Sequence, residues 1–527
     1  MRTKAAPFVL ALCLLLFSGR ALSSLLQESA TWDETGYFGL GRYLLENQRW
    51  DVPGSLLHPP LSFYLQSVPL LFAEIDMTAF ASASPTVDPA SLARVTRGQA
   101  LLSSPANRDD RLLTASRLAT VATGALLAWL VYAWSNALYG PWSAMLAVVL
   151  CTFCPNILAH SRLITPDITV TTFMFASAYL LWRFLRGRRL RHALVGGACL
   201  GLALLSKFTG ALMIPVSLGL MLLWWATQKQ IDLRGCALYL AIALGVLLLG
   251  YAGQLEPYLA GIRYQLQHSR AGHPSFLMGE HSLHGWWYYF LVAFALKTPI
   301  ATMTLLGISL IRSLGRARTG RWIDEAFLLI PASVVLGFFS LNPQSIGLRY
   351  VLPIYPFLFV FASETARAAA ARISSTGLLV AALVSWLVLA SWSIHPHYLA
   401  YFNELIGGPG NGYKYLVDSN LDWGQDLKGL KRFMQANAIP EIALSYFGTD
   451  SPARYGIRYR RLPSMILTDP DAGRPPPTPE AQPEWVAISA TNLQGVYFED
   501  AGLFASFAGR RPVATIGYSI FVYHLGE

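Results

Sequence analysis

Charged side chains stand beside several long apolar segments of this chain, and their types suit group transfer from an anionic substrate. Asp33 and Glu34, in TWDETGYF, follow the first apolar run, and Asp167 opens another in SRLITPDITV. Lys207, in LLSKFTG, and Arg349, in GLRYVLPIYP, stand at the ends of others. A carboxylate can act as a general base, and lysine and arginine bind phosphate. Ionisable residues at such places are costly, so their combination indicates a functional site for an anionic lipid headgroup.

Each of these residues also has a structural interpretation when it is taken alone. Asp167 opens a helix, where a carboxylate complements the helix dipole. The two cations can extend along an apolar surface to lipid headgroups. His58, before two prolines in LLHPPLSFYL, suits a turn, and the acidic pair suits a solvated loop. Only their convergence on one surface predicts chemistry.

The composition predicts a polytopic α-helical membrane protein. Of its 527 residues, 54% are hydrophobic and 13% are charged, whereas soluble domains have about 25% charged residues. We predict about eleven transmembrane helices, each of roughly 20 apolar residues. They are 7–25, 112–136, 141–158, 167–186, 191–206, 208–227, 235–253, 286–312, 325–341, 349–365 and 374–394. The first also resembles a signal peptide, but continued apolar sequence without a small-x-small site favours an uncleaved anchor.

The net charge of +10 is explained by cations that flank apolar runs, so no nucleic-acid partner is predicted. The N-terminal side of the membrane has the larger set: Arg2, Lys4, Arg183, Arg186, Arg188, Arg189, Arg191, Lys229, Arg234, Arg312, Arg316, Arg318, Arg321, Arg367 and Arg372. The opposite short loops have only Arg162, Lys207, Arg263, Arg270 and Arg349. Because cations accumulate in cytoplasmic loops, Asp33, Glu34 and everything after residue 394 are predicted to be extracytoplasmic.

The five cysteines all lie in apolar segments, so the outer segments have no disulfide framework. This suits a bacterial inner membrane with a periplasmic site and leaves the endoplasmic reticulum as an alternative. We divide the chain into a membrane domain, 1–394, and an outer C-terminal domain, 395–527. The membrane domain contains an outer loop, 26–111, with interfacial helices in 37–48 and 58–72 and a polar surface excursion in 74–110.

The C-terminal domain is predicted to be a small α/β unit. A helix is predicted in 422–437, with Leu427, Leu430, Phe433 and Met434 on one face. EIALSYF, EWVAISA and the alternating ATIGYSIFVYHL predict strands, and the proline-rich 469–484 predicts a loop. In DSNLDWGQDL, three aspartates four apart either bind the acceptor or a cation, or one of the residues at 418–420 caps the helix.

The ordered motifs resemble glycosyltransferase family 39, within the GT-C superfamily. They are TWDETGYF, HPPLSFYL, SRLITPDITVTTFMFASAYLLWRFLR, LALLSKFTGALMIP, GEHSLHGWWYYFLVAFALKTP and LRYVLPIYPFLFVFAS. That family includes the protein O-mannosyltransferases and the lipid A aminoarabinose transferases. The continuation YLAYFNELIGGPGNGYKYLVDSNLDWGQDLKGL resembles bacterial phospholipid carrier-dependent glycosyltransferases.

The resemblance implies transfer of one sugar from a polyprenyl-phosphate carrier to a hydroxyl of a lipid, glycan or protein, by direct displacement with inversion. It implies that Asp33 is the general base or orients the acceptor, with Glu34 beside it and Asp167 as the second loop aspartate. Lys207 and Arg349 would hold the carrier phosphate. Further candidate contacts to substrate or acceptor are His58, Tyr350, His284, Trp286 and Asp422.

One feature departs from a simple protein O-mannosyltransferase, and two others stay open. The mannosyltransferase branch continues its HPP segment with Gly-Lys, whereas here Leu61 is followed by Ser62-Phe63. Some relatives hold a divalent metal near the carrier, and Glu280, His281 and His284 are candidate ligands for one, although their spacing is not diagnostic. GWWYYF at 285–290 is either an interfacial aromatic belt or a stacking surface.

Two other classes of protein remain as alternatives. A ligase or phosphotransferase acting on lipid-linked substrates needs the same cations. A lipid or solute transporter would place its charges near mid-span on broken helices, whereas here they stand at span ends.

Overall fold

The computed structural model describes residues 5–50, 55–82, 92–107, 110–316, 322–369, 375–464 and 484–526, and most of these are helical. The helices before residue 394 are Ala5–Gln27 (α1), Trp32–Tyr37 (α2), Leu40–Asn47 (α3), Leu61–Ser67 (α4), Thr78–Ser82 (α5), Leu92–Ser103 (α6), Asp110–Tyr139 (α7), Pro141–Thr152 (α8), Pro155–His160 (α9), Asp167–Gly187 (α10), Leu190–Ser206 (α11), Met213–Gln228 (α12), Leu233–Gly250 (α13), Glu256–Arg270 (α14), Tyr289–Lys297 (α15), Ile300–Arg316 (α16), Trp322–Ser340 (α17), Ile354–Ala362 (α18), Glu364–Ala369 (α19) and Ser375–Ser393 (α20). Short 3-10 helices cover Phe208–Leu212 and Leu348–Val351.

The chain is an integral membrane protein, but the count of about eleven spans is not confirmed. Seven apolar helices in the described residues are long enough to cross a bilayer, or eight if α15 and α16, bent by 112°, form one span. Two predicted segments form only the shorter apolar helices α8 and α11, of 12 and 17 residues. At about 1.5 Å per residue, α8 covers roughly 18 Å of a core about 30 Å thick. The predicted span 349–365 is divided between the second 3-10 helix and α18.

The outer loop after α1 forms helices where interfacial ones are predicted, with α3 inside 37–48 and α4 inside 58–72. The prediction of a polar surface excursion in 74–110 is wrong for its described part. Phe80, Leu101 and Leu102 are buried in one core with Tyr37 and Phe38. Apolar residues spaced along α6 explain this, because they form a face that packs against α2.

The C-terminal segment, residues 395–527, contains a mixed sheet, as the α/β prediction requires. The first two strands, Ser275–Leu277 (β1) and Glu280–Ser282 (β2), form a separate hairpin earlier in the chain. The described helices of the C-terminal segment are Leu427–Ala436 (α21), Ala490–Leu493 (α22) and Ala505–Ala508 (α23). Its strands are Ile442–Ser445 (β3), Tyr459–Arg461 (β4), Trp485–Ser489 (β5), Ala514–Ile516 (β6) and Ile520–His524 (β7). The sheet order is β4-β3-β5-β7-β6, with parallel β4-β3-β5 and antiparallel β5-β7-β6. Leu427, Leu430 and Met434 of α21 join its core.

Three expectations for this segment need correction or fall outside the structure. ATIGYSIFVYHL is a hairpin rather than one strand, because Gly517 and Tyr518 have φ angles of 56° and 65° and reverse the chain. Residues 418–420 do not cap α21, whose N-cap position is Asp426. The proline-rich 469–483 lies outside the described residues.

Backbone hydrogen bonds join the start of the outer loop to the C-terminal segment. The Ser29 N–H donates to the Gln425 carbonyl and the Trp32 N–H donates to the Trp423 carbonyl, both at 2.8 Å. The Leu348 N–H donates to Asn420 Oδ1 at 2.9 Å. The segments that carry Asp33 and Arg349 are therefore both fixed by residues 420–425.

Candidate active site

A cavity of about 650 Å³ lies where the outer loop, the ends of spanning helices and the C-terminal segment meet. Asp33, His58, Lys207, Arg349 and Tyr350, predicted from separate stretches of sequence, all line it. Apolar side chains from spanning helices and neighbouring segments line it as well; among them are Leu212, Pro215, Ile262, Leu266, Phe338 and Phe339. One cavity thus joins an apolar wall to a set of charged groups.

Asp33 and Arg349 form a direct ion pair at the cavity. Arg349 Nη1 donates to Asp33 Oδ2 at 2.5 Å, and the two side chains are only 10% and 9% exposed. Burial opposes the charge on Arg349, but the Asp33 carboxylate compensates it, and a guanidinium stays protonated in proteins. The Arg349 guanidinium also lies 4.3 Å from the ring centre of Trp423. The arginine is thus held charged and oriented at the cavity wall.

Lys207 and Asp167 form a second buried ion pair beside the first. Lys207 Nζ donates to Asp167 Oδ1 at 2.7 Å, and the Asp167 side chain is fully buried. Lys207 ends α11 and Asp167 is the first residue of α10, so a turn at each helix end brings them together. The Lys207 ammonium lies 4.6 Å and the Arg349 guanidinium 5.5 Å from the Tyr350 ring centre. The two cations therefore flank one aromatic ring.

Glu34 does not reach the cavity, although its neighbour Asp33 does. Its side chain is fully buried and accepts hydrogen bonds from Arg117 Nε at 2.8 Å and Nη2 at 2.6 Å. It also accepts from the N–H groups of Thr31 and Ile164, each at 2.9 Å. Burial would raise the pKa of Glu34, but these donors outweigh it and lower the pKa. Successive helical positions point in different directions, which separates the two carboxylates.

The remaining candidate contacts lie away from the cavity in the described structure. His284 is exposed and Trp286 is half-buried, and neither lines the cavity. Asp422 is buried in the C-terminal segment, where its Oδ2 accepts from the Thr491 N–H at 2.8 Å. Burial raises the pKa of Asp422 to about 8.

The described residues contain no group of three or more His, Cys, Asp or Glu side chains that could hold a metal ion. Glu280 and His281 are exposed residues of β2, and His281 Nε2 contacts the Gln494 carbonyl at 2.7 Å. The candidate metal ligands at 280–284 therefore do not converge on the charged cavity.

Sequence reasoning missed several residues that build or support this site. Arg117 and Lys297 each lie within an apolar span, and an ionisable residue there was the available signal. Lys297 Nζ donates to the carbonyls of Leu399 and Tyr401 at 2.9 and 3.1 Å, which ties a span to the C-terminal segment. The cavity also takes Trp32 from the outer loop and Asp418, Trp423, Phe447 and Tyr497 from the C-terminal segment.

Three solved structures are similar to this chain at low sequence identity. ArnT from Cupriavidus metallidurans bound to undecaprenyl phosphate is 14% identical over 99% of this chain and 98% of its own, with a TM-score of 0.49. The Archaeoglobus fulgidus oligosaccharyltransferase AglB, in complex with an inhibitory peptide and a dolichol-phosphate, is 14% identical over 74% of this chain and 56% of its own, with a TM-score of 0.49. The S. cerevisiae Pmt1-Pmt2 complex bound to the sugar donor is 20% identical over 51% of this chain and 34% of its own, with a TM-score of 0.34.

One part of the chain matches a family model in sequence comparison. No curated protein matches the chain. Residues 110–250, which include Arg117, Asp167 and Lys207, match the family model described as dolichyl-phosphate-mannose-protein mannosyltransferase. The resemblance to the glycosyltransferase family of the protein O-mannosyltransferases is thereby confirmed over residues 110–250.

Proposed function

We propose that this chain is an integral-membrane glycosyltransferase that moves one sugar from a polyprenyl-phosphate carrier to a hydroxyl acceptor. The observation that carries the proposal is the cavity in which Asp33, Lys207 and Arg349 share one wall beside apolar side chains of spanning helices. Such a cavity suits an amphipathic donor, whose prenyl chain packs against apolar residues while its phosphate meets the cations.

The charges of the cavity favour departure of the carrier phosphate. A sugar-linked carrier phosphate is a diester with one negative charge, and it gains a second charge as the sugar leaves. Lys207 and Arg349 are positively charged groups held in a largely buried site, so they stabilise that added charge more strongly than water would. Interactions that strengthen as the reaction proceeds are those that increase the rate. Asp167 positions the Lys207 ammonium through the 2.7 Å contact.

Asp33 is the proposed general base. The acceptor oxygen attacks the anomeric carbon, and the bond from that carbon to the phosphate oxygen breaks. The electron pair stays on the phosphate, and the acceptor proton passes to Asp33. Attack opposite to the leaving phosphate inverts the anomeric centre. His58 and Tyr350 line the same cavity and are proposed as contacts to donor or acceptor.

The orientation of the protein supports a site outside the cytoplasm. The loops on the N-terminal side carry most of the cations, which favours an extracytoplasmic position for the outer loop and residues 395–527. We assign the chain to a bacterial inner membrane with its site facing the periplasm. The two-domain division at residue 394 is part of the same proposal.

A transfer assay tests this function. Membranes containing wild-type protein, Asp33→Asn or the control Glu46→Gln receive radiolabelled undecaprenyl-phosphate-linked glucose, mannose, galactose or N-acetylglucosamine. Glu46 is a matched control because its carboxylate pairs with Arg42 at 2.7 Å away from the cavity. We expect wild type and control to transfer one sugar to cell-envelope material, and Asp33→Asn to be slower by about 10²–10⁴-fold.

Other outcomes of that assay contradict the proposal in distinct ways. Equal transfer by Asp33→Asn would remove Asp33 as the base. Phosphate label appearing in the product, with a ³²P-labelled donor, would identify a phosphotransferase. No transfer by wild type from any donor would favour a transporter.

A further inference from the structure

We propose that the C-terminal segment and Trp32 of the outer loop together supply the seat for the donor's sugar ring, formed by the aromatic residues Trp32, Phe447 and Tyr497 and the carboxyl group of Asp418. This inference rests on the proposed function and names the part of the cavity that recognises the sugar. The ligand is a hydroxylated pyranose or furanose without an acid group, still linked to its carrier phosphate.

Three aromatic rings form a continuous stack along one wall of the cavity. The rings of Trp32 and Phe447 are stacked with centres 4.9 Å apart and an interplanar angle of 23°. Phe447 and Tyr497 are stacked at 5.3 Å and 13°. All three residues line the cavity; Trp32 and Tyr497 are partly buried and Phe447 is buried. Aromatic rings offer apolar surface to the C–H groups of a sugar, and the Tyr497 hydroxyl adds a polar end.

The carboxyl group of Asp418 supplies polar recognition at the end of that wall. The Tyr497 hydroxyl donates to Asp418 Oδ2, and the Ser419 N–H donates to Oδ1 at 2.5 Å. Asp418 has a φ of 57°, which Asp adopts more readily than most residues but at a cost of about 1–3 kcal/mol. Residues held in such conformations cluster at ligand sites. Burial also raises the pKa of Asp418, as expected for a carboxyl that is only 8% exposed.

The elements that contribute to the cavity indicate which part of the donor meets this wall. Leu212 and Phe338 belong to the spanning segments Phe208–Gln228 and Trp322–Ser340, and Lys207 directly precedes the first of these. Arg349 links the cations to the C-terminal segment, since its guanidinium lies 4.3 Å from the Trp423 ring centre. A donor with its prenyl chain among the spanning helices and its phosphate at the cations therefore directs its sugar toward Tyr497 and Asp418.

The charges of this wall favour a neutral sugar over an acidic one. The residues that the C-terminal segment contributes to the cavity are Asp418, Trp423, Phe447 and Tyr497, and none is a lysine or arginine. Lys207 and Arg349 are needed for the carrier phosphate. The basic group beside this wall is the His273 imidazole, whose ring centre lies 5.8 Å from that of Tyr497. A carboxylate on the sugar would face Asp418 without a lysine or arginine partner, which is unfavourable in a buried site.

Binding of carriers with and without a sugar tests the seat separately from the phosphate site. Full-length protein in bilayer discs, without acceptor, is titrated with undecaprenyl phosphate and with its glucose, mannose, galactose, N-acetylglucosamine and glucuronic acid conjugates. The variants are Tyr497→Phe and Asp418→Asn, with Tyr415→Phe as a matched control in the same segment. Phe keeps the ring stack, and Asn keeps the shape of the carboxyl and tolerates the positive φ. Lys207→Gln tests the phosphate site.

We expect wild type to bind at least one neutral conjugate more tightly than bare undecaprenyl phosphate, and to bind the glucuronic acid conjugate less tightly than that neutral conjugate. Tyr497→Phe and Asp418→Asn should each reduce the preference for the neutral conjugate by about tenfold, the value of one buried hydrogen bond. Both variants and Tyr415→Phe should bind bare carrier as wild type does, whereas Lys207→Gln should bind it more weakly.

Two results would overturn the sugar seat. One is equal binding of bare and conjugated carriers by wild type, and the other is an equal loss for both carriers in the Tyr497 and Asp418 variants. Unchanged binding of bare carrier by Lys207→Gln would instead contradict the proposed phosphate site, so failure of the seat and failure of the function are distinguished.

Discussion

Arg349 Nη1 and Asp33 Oδ2 are 2.5 Å apart, so the proposed phosphate ligand and the proposed base are each other's partner. A carrier phosphate that binds the guanidinium competes with the Asp33 carboxylate. Its arrival would weaken this ion pair and make the carboxylate available to an acceptor hydroxyl. Donor binding and activation of the base are thereby coupled through one side chain.

Replacing Arg349 by Lys tests that coupling. A lysine keeps the charge but not the planar fork that can serve two acidic partners at once. We expect Arg349→Lys to raise KM for the donor and lower kcat, with kcat/KM reduced by about 10–100-fold. Steady-state transfer kinetics measure both constants. Arg312→Lys, at the Glu364 pair outside the cavity, is the control and should behave as wild type. Kinetic constants for Arg349→Lys within twofold of wild type would refute the coupling.

Glu34→Gln should damage stability rather than the chemical step. It leaves the buried Arg117 guanidinium without its charged partner, and such a loss costs about 3–5 kcal/mol. Because the folded pKa of Glu34 is lowered, its contribution is present above the unfolded value of 4.5 and is lost as pH falls. Unfolding in detergent at neutral pH should show the loss for Glu34→Gln. Asp33→Asn, at the cavity, should change the free energy of unfolding less than Glu34→Gln does. A larger loss of stability in Asp33→Asn than in Glu34→Gln would mean that Asp33, rather than Glu34, has the structural role.

A buried acid–histidine cluster at the junction of α1 and the C-terminal segment should make stability depend on pH. Burial raises the pKa of Glu28 to about 7 despite the neighbouring Arg162. Burial alone would lower the pKa of His397. The carboxylates of Asp426 and Glu28 outweigh that effect and raise the pKa, and Asp426 Oδ1 lies 3.4 Å from His397 Nδ1. Both folded pKa values are raised, so both groups contribute stability that is lost as pH rises. The contribution of Glu28 is lost between pH 4.5 and about 7, and that of His397 is lost above pH 6.5.

The melting temperature of wild type should therefore fall as pH rises through this range. Glu28→Gln, which resembles the protonated acid, should flatten the slope between pH 4.5 and 7. The slope is the readout, because Arg162 loses a charged partner and the absolute melting temperature changes as well. An unchanged slope in Glu28→Gln would mean that Glu28 does not titrate in this range.

Asp422→Asn should leave transfer at pH 7 nearly unchanged. With a pKa raised to about 8 by burial, Asp422 is mostly protonated at pH 7, and an amide has a similar shape. Since its folded pKa is raised, stability is lost as pH rises through 8 in wild type and not in the variant. Melting curves at pH 7 and 9 and transfer rates at pH 7 check both points. A large loss of transfer at pH 7 in Asp422→Asn would instead support Asp422 as a contact to the acceptor.

The sequence predicts the charged residues of the cavity better than it predicts their surroundings. Asp33, Lys207 and Arg349 were found because ionisable groups beside apolar spans are costly without a purpose. The burial of Glu34 depends on Arg117, 83 residues away, and no local pattern links the two. Trp32, Phe447 and Tyr497 meet only through the tertiary fold, so their types and spacing gave no signal.

The errors in the fold have local causes. Alternation of apolar and polar residues continues through 514–525 and concealed the turn at Gly517, although glycine is common where φ is positive. Apolar composition predicts a span but not its length, which is why α8 and α11 were counted with the longer helices. The amphipathic face of α21, in contrast, was visible at helical spacing and is packed as predicted.

The hydrogen bonds that fix the proposed base have a consequence for how the protein is made. Ser29 Oγ accepts from the Leu427 N–H at 3.1 Å and donates to the carbonyl of Gly424, which is 395 residues later in the chain. During synthesis, Asp33 emerges early, before the segment that holds it in place has been translated. On the proposed function, a nascent protein that has already inserted its first spans would therefore remain inactive until Leu427 had been translated, and premature termination before that residue would release a membrane-inserted but inert product.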